Sequence, residues 1–354
     1  MDKNNHSKSY FALLRHLIHC TIGFGVMTAN PSFAQKNVED FYRGKTITIY
    51  VGYSPGGGYD TYSRLVGQFI GRHIPGQPQL VVQNMPGGGS RVVGSYMTNI
   101  APKDGTALAS ADQSLTLQQA LGDETVKFDN RRFNWIGNPD QDNNTVVTWV
   151  TSGIKTIDDA RRREVAMAGV GPNTTSAQYP VILNELLGTK FKVVNGYPGA
   201  NDSNLAMERG EVAGRGSYGW GTGKATRPDW LKDGKINVLV QIGLAKSSEL
   251  PDVPLLTDLA TNDADRAVLL LLSAPIAIGK PLFTTPDVLP ERVAALRKAF
   301  MQTMKDKEFL AIAAKANAEI DPVDGEALQK IVADMIDAPI EVRHRLKDLL
   351  ARAE

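Results

Sequence analysis

Apolar positions in this chain alternate between two rhythms from about residue 38 onward. Short β-branched or small runs at 46–51 (TITIYV), 80–83 (LVVQ) and 106–110 (TALAS) read as buried strands. Between them the apolar residues return at helical spacing. Tyr62, Leu65, Val66, Phe69 and His73 share one face, with Ser63, Arg64, Gln68 and Arg72 on the other. Val93, Tyr96, Met97 and Ile100 repeat the pattern in a helix starting at Ser90, and LTLQQALG starts another. Strands follow at 133–137 and 145–151, flanking the polar loop 138–144. Beyond them come a helix at 156–163, a strand at 165–168, and a helix at 176–187 whose Tyr179, Ile182, Leu183, Leu186 and Leu187 point inward. A strand at 191–194, a helix ending at Gly210, a thin strand at 212–219 and a strong one at 236–242 complete this stretch.

After a proline-rich passage at 249–260, residues 267–272 are apolar on all sides and predict a buried helix, and 274–278 predicts a strand. From Leu289 the chain is helical, with breaks near Asp306 and Asp321-Pro322. About ten strands alternating with as many helices predict an α/β architecture. No repeat of 20–50 residues is visible, which argues against solenoids and propellers.

The glycine-rich loops at strand ends fall into two groups, one before residue 115 and one after residue 168. That grouping predicts two lobes around a cleft, lobe 1 from 38–143 plus 248–354 and lobe 2 from 144–247. In open parallel sheets, ligands sit at the carboxyl ends of the strands.

Composition narrows the class. The chain has 354 residues, 42% hydrophobic and 22% charged, as in an ordinary globular protein. A formal net charge of +1 offers no electrostatic case for nucleic acid or an anionic membrane. Lys3, Lys8 and Arg15, a short apolar run at 17–29 and Pro31-Ser32-Phe33-Ala34 resemble an export signal cleaved near Ala34, too short to span a bilayer. Its removal would take three basic residues and one acidic, leaving 36 against 37, and with it Cys20, the single cysteine. Disulfides and thiol catalysis then drop out. The two remaining histidines, His73 and His344, are too few for a histidine-rich metal site, and nothing calls for a cofactor.

Candidate chemistry centres on 47–74. After the strand come Ser54-Pro55-Gly56-Gly57-Gly58-Tyr59-Asp60, with Asp60 the expected N-cap of the next helix. A strand, a bare-backbone loop and a helix start offer N–H groups and a positive dipole end to an anion. Gly52-Tyr53-Ser54-Pro55-Gly56 also matches the G-x-S-x-G turn of serine hydrolases, so an exported hydrolase on Ser54 is the alternative. Pro55 opposes it, because the residue after the nucleophile must donate an N–H to the oxyanion. A nucleotide-phosphate loop would need Lys-Ser/Thr where Tyr59-Asp60 stands. A carboxylate needs only N–H donors and small residues. The plain reading, a tight turn that lets helix and strand pack, weakens because Pro-Gly-Gly-Gly recurs at 86–89 after Asn84. Thr174, Thr175 and Ser176 open a helix on the other lobe, as cap or as hydroxyl donors. Tyr197-Pro198-Gly199-Ala200 enters another. Arg215 is the best candidate for a cation in the cleft, and Tyr53, Tyr59, Tyr197 and Trp220 could wall an organic ligand.

These phrases resemble the Bug/TctC family of periplasmic solute-binding proteins, receptors of tripartite tricarboxylate transporters. The match runs through YRGKTITIYVGYSPGGGYDTYSRL, LVVQNMPGGG, DGTAL, the helix start at 169–176, the loop at 195–202 and LPDVPLLTDLA. The resemblance implies a two-lobed, type II binding protein with no enzymatic activity. It would be a periplasmic monomer that captures a small carboxylate and passes it to membrane transporter subunits. Carried over, Ser54, Gly57, Gly58 and Asp60 belong to the first loop. Asn84 and Gly88 belong to the second, and Asn173, Thr174 and Thr175 to the facing lobe. The chain departs from the family at Gly52, Tyr59 and 172–175. The added aromatic ring of Tyr59 would favour a bulkier or aromatic acid.

Overall fold

The computed structural model describes residues 31–352, so the expected export signal falls almost wholly outside the described residues. In chain order the elements begin α1 (Pro31–Tyr42), β1 (Thr46–Val51), α2 (Gly58–Ile70), β2 (Gln79–Asn84), α3 (Arg91–Asn99), β3 (Ala107–Ser110), α4 (Leu115–Ala120) and β4 (Asn134–Asn138). They continue with β5 (Asn144–Trp149), α5 (Ile157–Arg162), β6 (Val165–Gly169), α6 (Thr175–Leu187), β7 (Phe191–Asn195), α7 (Ala200–Glu208), β8 (Gly214–Gly219), α8 (Trp220–Thr226), α9 (Pro228–Lys232) and β9 (Ile236–Ile242). The chain ends with α10 (Asp263–Ser273), β10 (Leu282–Thr284), α11 (Pro290–Thr303), α12 (Lys307–Lys315), β11 (Val323–Asp324), α13 (Gly325–Ile336) and α14 (Ile340–Ala351). Among the described residues no helix is long and apolar enough to cross a membrane.

The strands form two mixed sheets, ordered β11-β4-β10-β3-β1-β2 and β7-β6-β8-β5-β9. In the first, β1 pairs in parallel with both β2 and β3, while β10 runs antiparallel between β3 and β4. In the second, β8, β6 and β7 are parallel, and β5 lies antiparallel between β8 and β9. The parallel strands of each sheet end at the same place, where the loops and helix starts collect. Segment 139–143 carries the chain from one sheet to the other.

Three expectations are corrected. Asp60 is not a cap: α2 starts two residues earlier, with Gly57 at the N-cap in extended backbone. Ile100 is 73% exposed, because α3 stops at Asn99 before the residue can turn inward. Residues Ala274–Ala277 form a 3-10 turn, not a strand, since Pro275 has no N–H to give a ladder. The antiparallel strand falls instead at β10, and α10 keeps Leu270 at its exposed edge.

Pro180 sets the position of α6. It lies inside that helix and cannot donate to the Ser176 carbonyl one turn back. Gly216 of β8 packs against the same turn. A Cβ there would lie 2.3 Å from the Ser176 oxygen and 2.4 Å from Pro180 Cγ. Helix and strand therefore approach closely enough to bring the first turn of α6 and the side chain of Arg215 to one cavity.

Candidate anion site between the sheets

Four loops hold the site. Asp60 organises the first from the inside: its carboxylate accepts from the Gly56 N–H at 2.9 Å, Arg64 Nε at 3.0 Å and Asn84 Nδ2 at 2.8 Å. Asn84 also donates to the Tyr53 carbonyl at 2.9 Å. Burial pushes the Asp60 carboxyl up, but the bonds from Arg64, Gly56 and Asn84 outweigh it and hold it below the ordinary carboxylate value. The lowered value contributes stability above that ordinary range, and the contribution is lost as pH falls through the depressed one. Asp60→Asn is expected to cost about 1–3 kcal/mol, as one buried charged bonding partner does, and to loosen 54–58. Chemical denaturation together with amide exchange of Gly56 checks this.

Tyr53 and Tyr59 stack with ring centroids 5.0 Å apart. The Tyr53 hydroxyl donates to Asp112, and the Tyr59 oxygen accepts from the Gln113 N–H at 3.0 Å. Burial, then the Asp112 charge, pushes both phenols well above their ordinary value, so they stay protonated donors. Burial also raises Asp112, against bonds from Ser114 and Tyr53.

Across the cleft, Thr174 caps α6 only through its backbone; its hydroxyl donates to the Gly171 carbonyl at 2.8 Å. Thr175 Oγ1 bonds Ser217 Oγ at 3.2 Å. Arg215 is 8% exposed, and its bonds go to neutral oxygens, the Ala200 carbonyl at 3.2 Å and Asn204 Oδ1 at 2.7 Å. Its Nε has no partner. Burial pushes the guanidinium down to about 10, which still leaves it charged at neutral pH.

The cavity so bounded has a volume of about 80 Å³. Of the residues predicted for the site, Tyr53, Gly57, Gly58, Tyr59, Thr175 and Arg215 line it. Ser54, Asp60, Asn84, Gly88, Asn173, Thr174 and Tyr197 stand behind or beside the wall. Ser54 Oγ donates to Asp202 at 2.6 Å, and Asn173 Nδ2 to Asp123 at 2.6 Å, both across the cleft. Gly89, not Gly88, reaches the other side: its Cβ would meet Thr174 Cγ2 at 2.5 Å. Tyr197 packs on the small core of the second sheet, and Trp220 donates to Glu249. Ser176, read as a hydroxyl donor, also lines the cavity, whereas sequence reasoning missed Asp112, Gln113, Asp142, Asn144, Ser217, Thr222 and Lys280 there. Two had a visible signal. Asp142 stands in an unusually polar crossing loop, and Lys280 is the lone charge in SAPIAIGKPLF.

Electrostatically the cavity sets anion-favouring helix starts and a cation against the acidic side chains of Asp112 and Asp142 on the same wall. Helices α2, α6 and α7 all lack a side-chain cap, and each brings its first turn to the cavity through Gly58-Tyr59, Thr175-Ser176 and Ala200. Their free N–H groups and dipole ends favour an anion. The acidic residues of those first turns are engaged elsewhere, Asp60 with Arg64 and Asp202 with Ser54. Lys280 is matched by Asp140 at 2.8 Å, so Arg215 carries the unmatched charge.

Among the described residues no histidine is bonded to Ser54 as a base would be: the Ser54 hydroxyl is held by Asp202, and His73 Nε2 lies 2.9 Å from Asp306. Groups of three or more metal-ligating side chains are absent among the described residues.

Neither a family model nor a curated protein sequence matches the chain. Solved structures do. The periplasmic binding protein BugD superposes with a TM-score of 0.68 at 16% identity, covering 88% of this chain and 98% of its own. The R. palustris protein Rpa4515 with adipate gives 0.67 at 16% identity, over 87% and 97%. MatC from Rhodopseudomonas palustris with bound malate gives 0.65 at 16% identity, over 86% and 99%. The chain thus has the two-lobed α/β fold of the Bug-type periplasmic binding proteins.

Proposed function

We propose that this protein is a non-enzymatic periplasmic receptor that closes on a small organic carboxylate and delivers it to membrane subunits of a tripartite tricarboxylate-type transporter. One observation carries the reading: three uncapped helix starts and an unmatched, buried Arg215 face one cavity. An uncompensated buried cation is costly unless a ligand supplies its counter-charge. The lobes proposed are 38–143 with 248–354, and 144–247. A ligand touching Gly57-Gly58 from the first and Arg215 from the second would favour the closed state by its contacts with both. Adipate and malate in neighbours of the same fold support a carboxylate. The small volume supports a compact acid over the aromatic one suggested by Tyr59, because Tyr59 stacks on Tyr53 and occupies the space itself.

A thermal-shift screen of organic acids tests the reading. A bound acid at 100 times its Kd should stabilise the fold by about 2.7 kcal/mol, with the acid recovered intact after incubation. Ester turnover abolished by Ser54→Ala would overturn it in favour of the hydrolase.

A further inference from the structure

The crossing segment does more than join the lobes. Asp140 and Asp142 are 1% and 8% exposed and share one cation. Lys280 Nζ lies 2.8 Å from Asp140 and 3.5 Å from Asp142. Asp142 is tied to the second sheet's side, accepting from the N–H groups of Gly221 at 2.7 Å and Thr222 at 3.0 Å. Lys280 is tied to the first: its backbone N–H donates to Asn138 Oδ1 at 2.9 Å, and its ammonium lies 4.8 Å from the centre of the Tyr62 ring. Lobe opening about Gln141 would therefore stretch the longer contact and leave the shorter one intact.

The other groups around the cluster do not correct its charge. Tyr62 is a neutral phenol whose hydroxyl donates to the Glu319 carbonyl at 3.0 Å. The Glu319 carboxylate approaches Gly221 and is paired with Lys224. Two carboxylates against one lysine leave a negative charge in excess, and Asp142 and Lys280 themselves line the anion cavity. An entering carboxylate meets that charge at close range in a poorly screened site.

We propose that Asp140 and Asp142 form a proton site linked to the carboxylate site, so that the anion binds together with one proton. The proposal rests on the carboxylate reading above. Burial already pushes Asp140 up to about 6, with the Asp142 charge adding to the rise and Lys280 opposing it. A bound anion beside the cluster raises Asp140 further. By reciprocity, protonation then strengthens anion binding. The sign follows: affinity rises as pH falls from about 7.5 toward about 6, by at most tenfold per pH unit for one linked proton, and levels off below about 6, where Asp140 already holds its proton in the free protein and the second carboxyl of a dicarboxylate begins to protonate.

The test is titration calorimetry with malate and with adipate at pH 5.5, 6.5 and 7.5. Each run is repeated in two buffers of different ionisation enthalpy, which counts protons directly. Wild type should take up a clear fraction of a proton per anion at pH 6.5 and 7.5, and less at 5.5, where Asp140 is already largely protonated in the free protein. Asp140→Asn leaves Lys280 matched one-to-one with Asp142 and should bind with a flat pH profile. Zero proton uptake in wild type, or an unchanged slope in Asp140→Asn, overturns the linkage while leaving the receptor intact. If Asp140→Asn does not fold, Asp112→Asn decides: proton uptake retained in that variant supports the Asp140–Asp142 site, and uptake lost overturns it, because Asp112 also lines the cavity with its carboxyl raised by burial. Binding of neither acid, nor of any other in the screen, at all three pH values overturns the carboxylate reading and this proposal together.

Discussion

Arg215→Met is expected to reduce carboxylate affinity by about 30-fold or more while leaving the ligand-free melting temperature within about 3 °C of wild type. The two effects separate because the guanidinium is buried without a counter-charge. Removing one partner of a buried charge pair costs about 2–5 kcal/mol of binding, which is 30-fold or more. In the free protein the same substitution gives up two bonds to neutral oxygens, Ala200 O and Asn204 Oδ1, at about 1 kcal/mol each, and removes an unmatched buried charge. These terms oppose one another, and about 1 kcal/mol moves the transition of a domain this size by a few degrees. Arg215→Lys keeps the charge but not the fork, and should recover only part of the affinity. Calorimetric titration and differential scanning calorimetry check both halves. A variant that melts far lower and binds normally would make Arg215 a packing residue.

Gly58→Val should be as severe by a steric route. A Cβ at Gly58 would lie 2.7 Å from Thr222 Cγ2 and 3.0 Å from its Oγ1, on the far side of the cleft. Gly58 opens α2 in ordinary helical backbone, so the larger side chain does not strain the chain locally. The clash exists only when the lobes meet. The expected result is loss of binding by at least about 100-fold, an unchanged far-ultraviolet spectrum, and a radius of gyration that no longer contracts when acid is added. A milder pair sharpens the test. Gly58→Ala alone should weaken binding, and Thr222→Ser, which deletes the offending methyl, should restore much of it. Coupling of this kind between residues in contact is the signature of a shared surface.

The parts of the fold that could be read from the chain are those governed by local spacing. The β1 strand, the glycine loop and the apolar face of α2 are contiguous, so Tyr62, Leu65, Val66 and Phe69 are buried as their spacing predicts. Arg215 was legible too, as a charge on a strand of small residues. What could not be read depends on pairing between distant segments. Lys280 reaches Asp140 across 140 positions, and nothing in either neighbourhood announces the other. Residues Ala274–Ala277 looked like a strand because they are apolar, yet Pro275 and the antiparallel slot taken by β10 decide otherwise. Gly88 and Tyr197 failed for a related reason. A loop's composition predicts that its backbone is free to approach something, but not which of its residues does so.

The rim contact between Asn173 and Asp123 has a practical consequence. Beyond residue 20 the chain carries no cysteine, so with Cys20 replaced a thiol introduced at either position would be the sole point of attachment for a dye. Because Asn173 precedes α6 and Asp123 follows α4, in the two proposed lobes, a dye at either position would report a change in their separation. Under the proposed function, the labelled chain would serve as an optical gauge of whichever acid it captures, readable without knowing that acid beforehand.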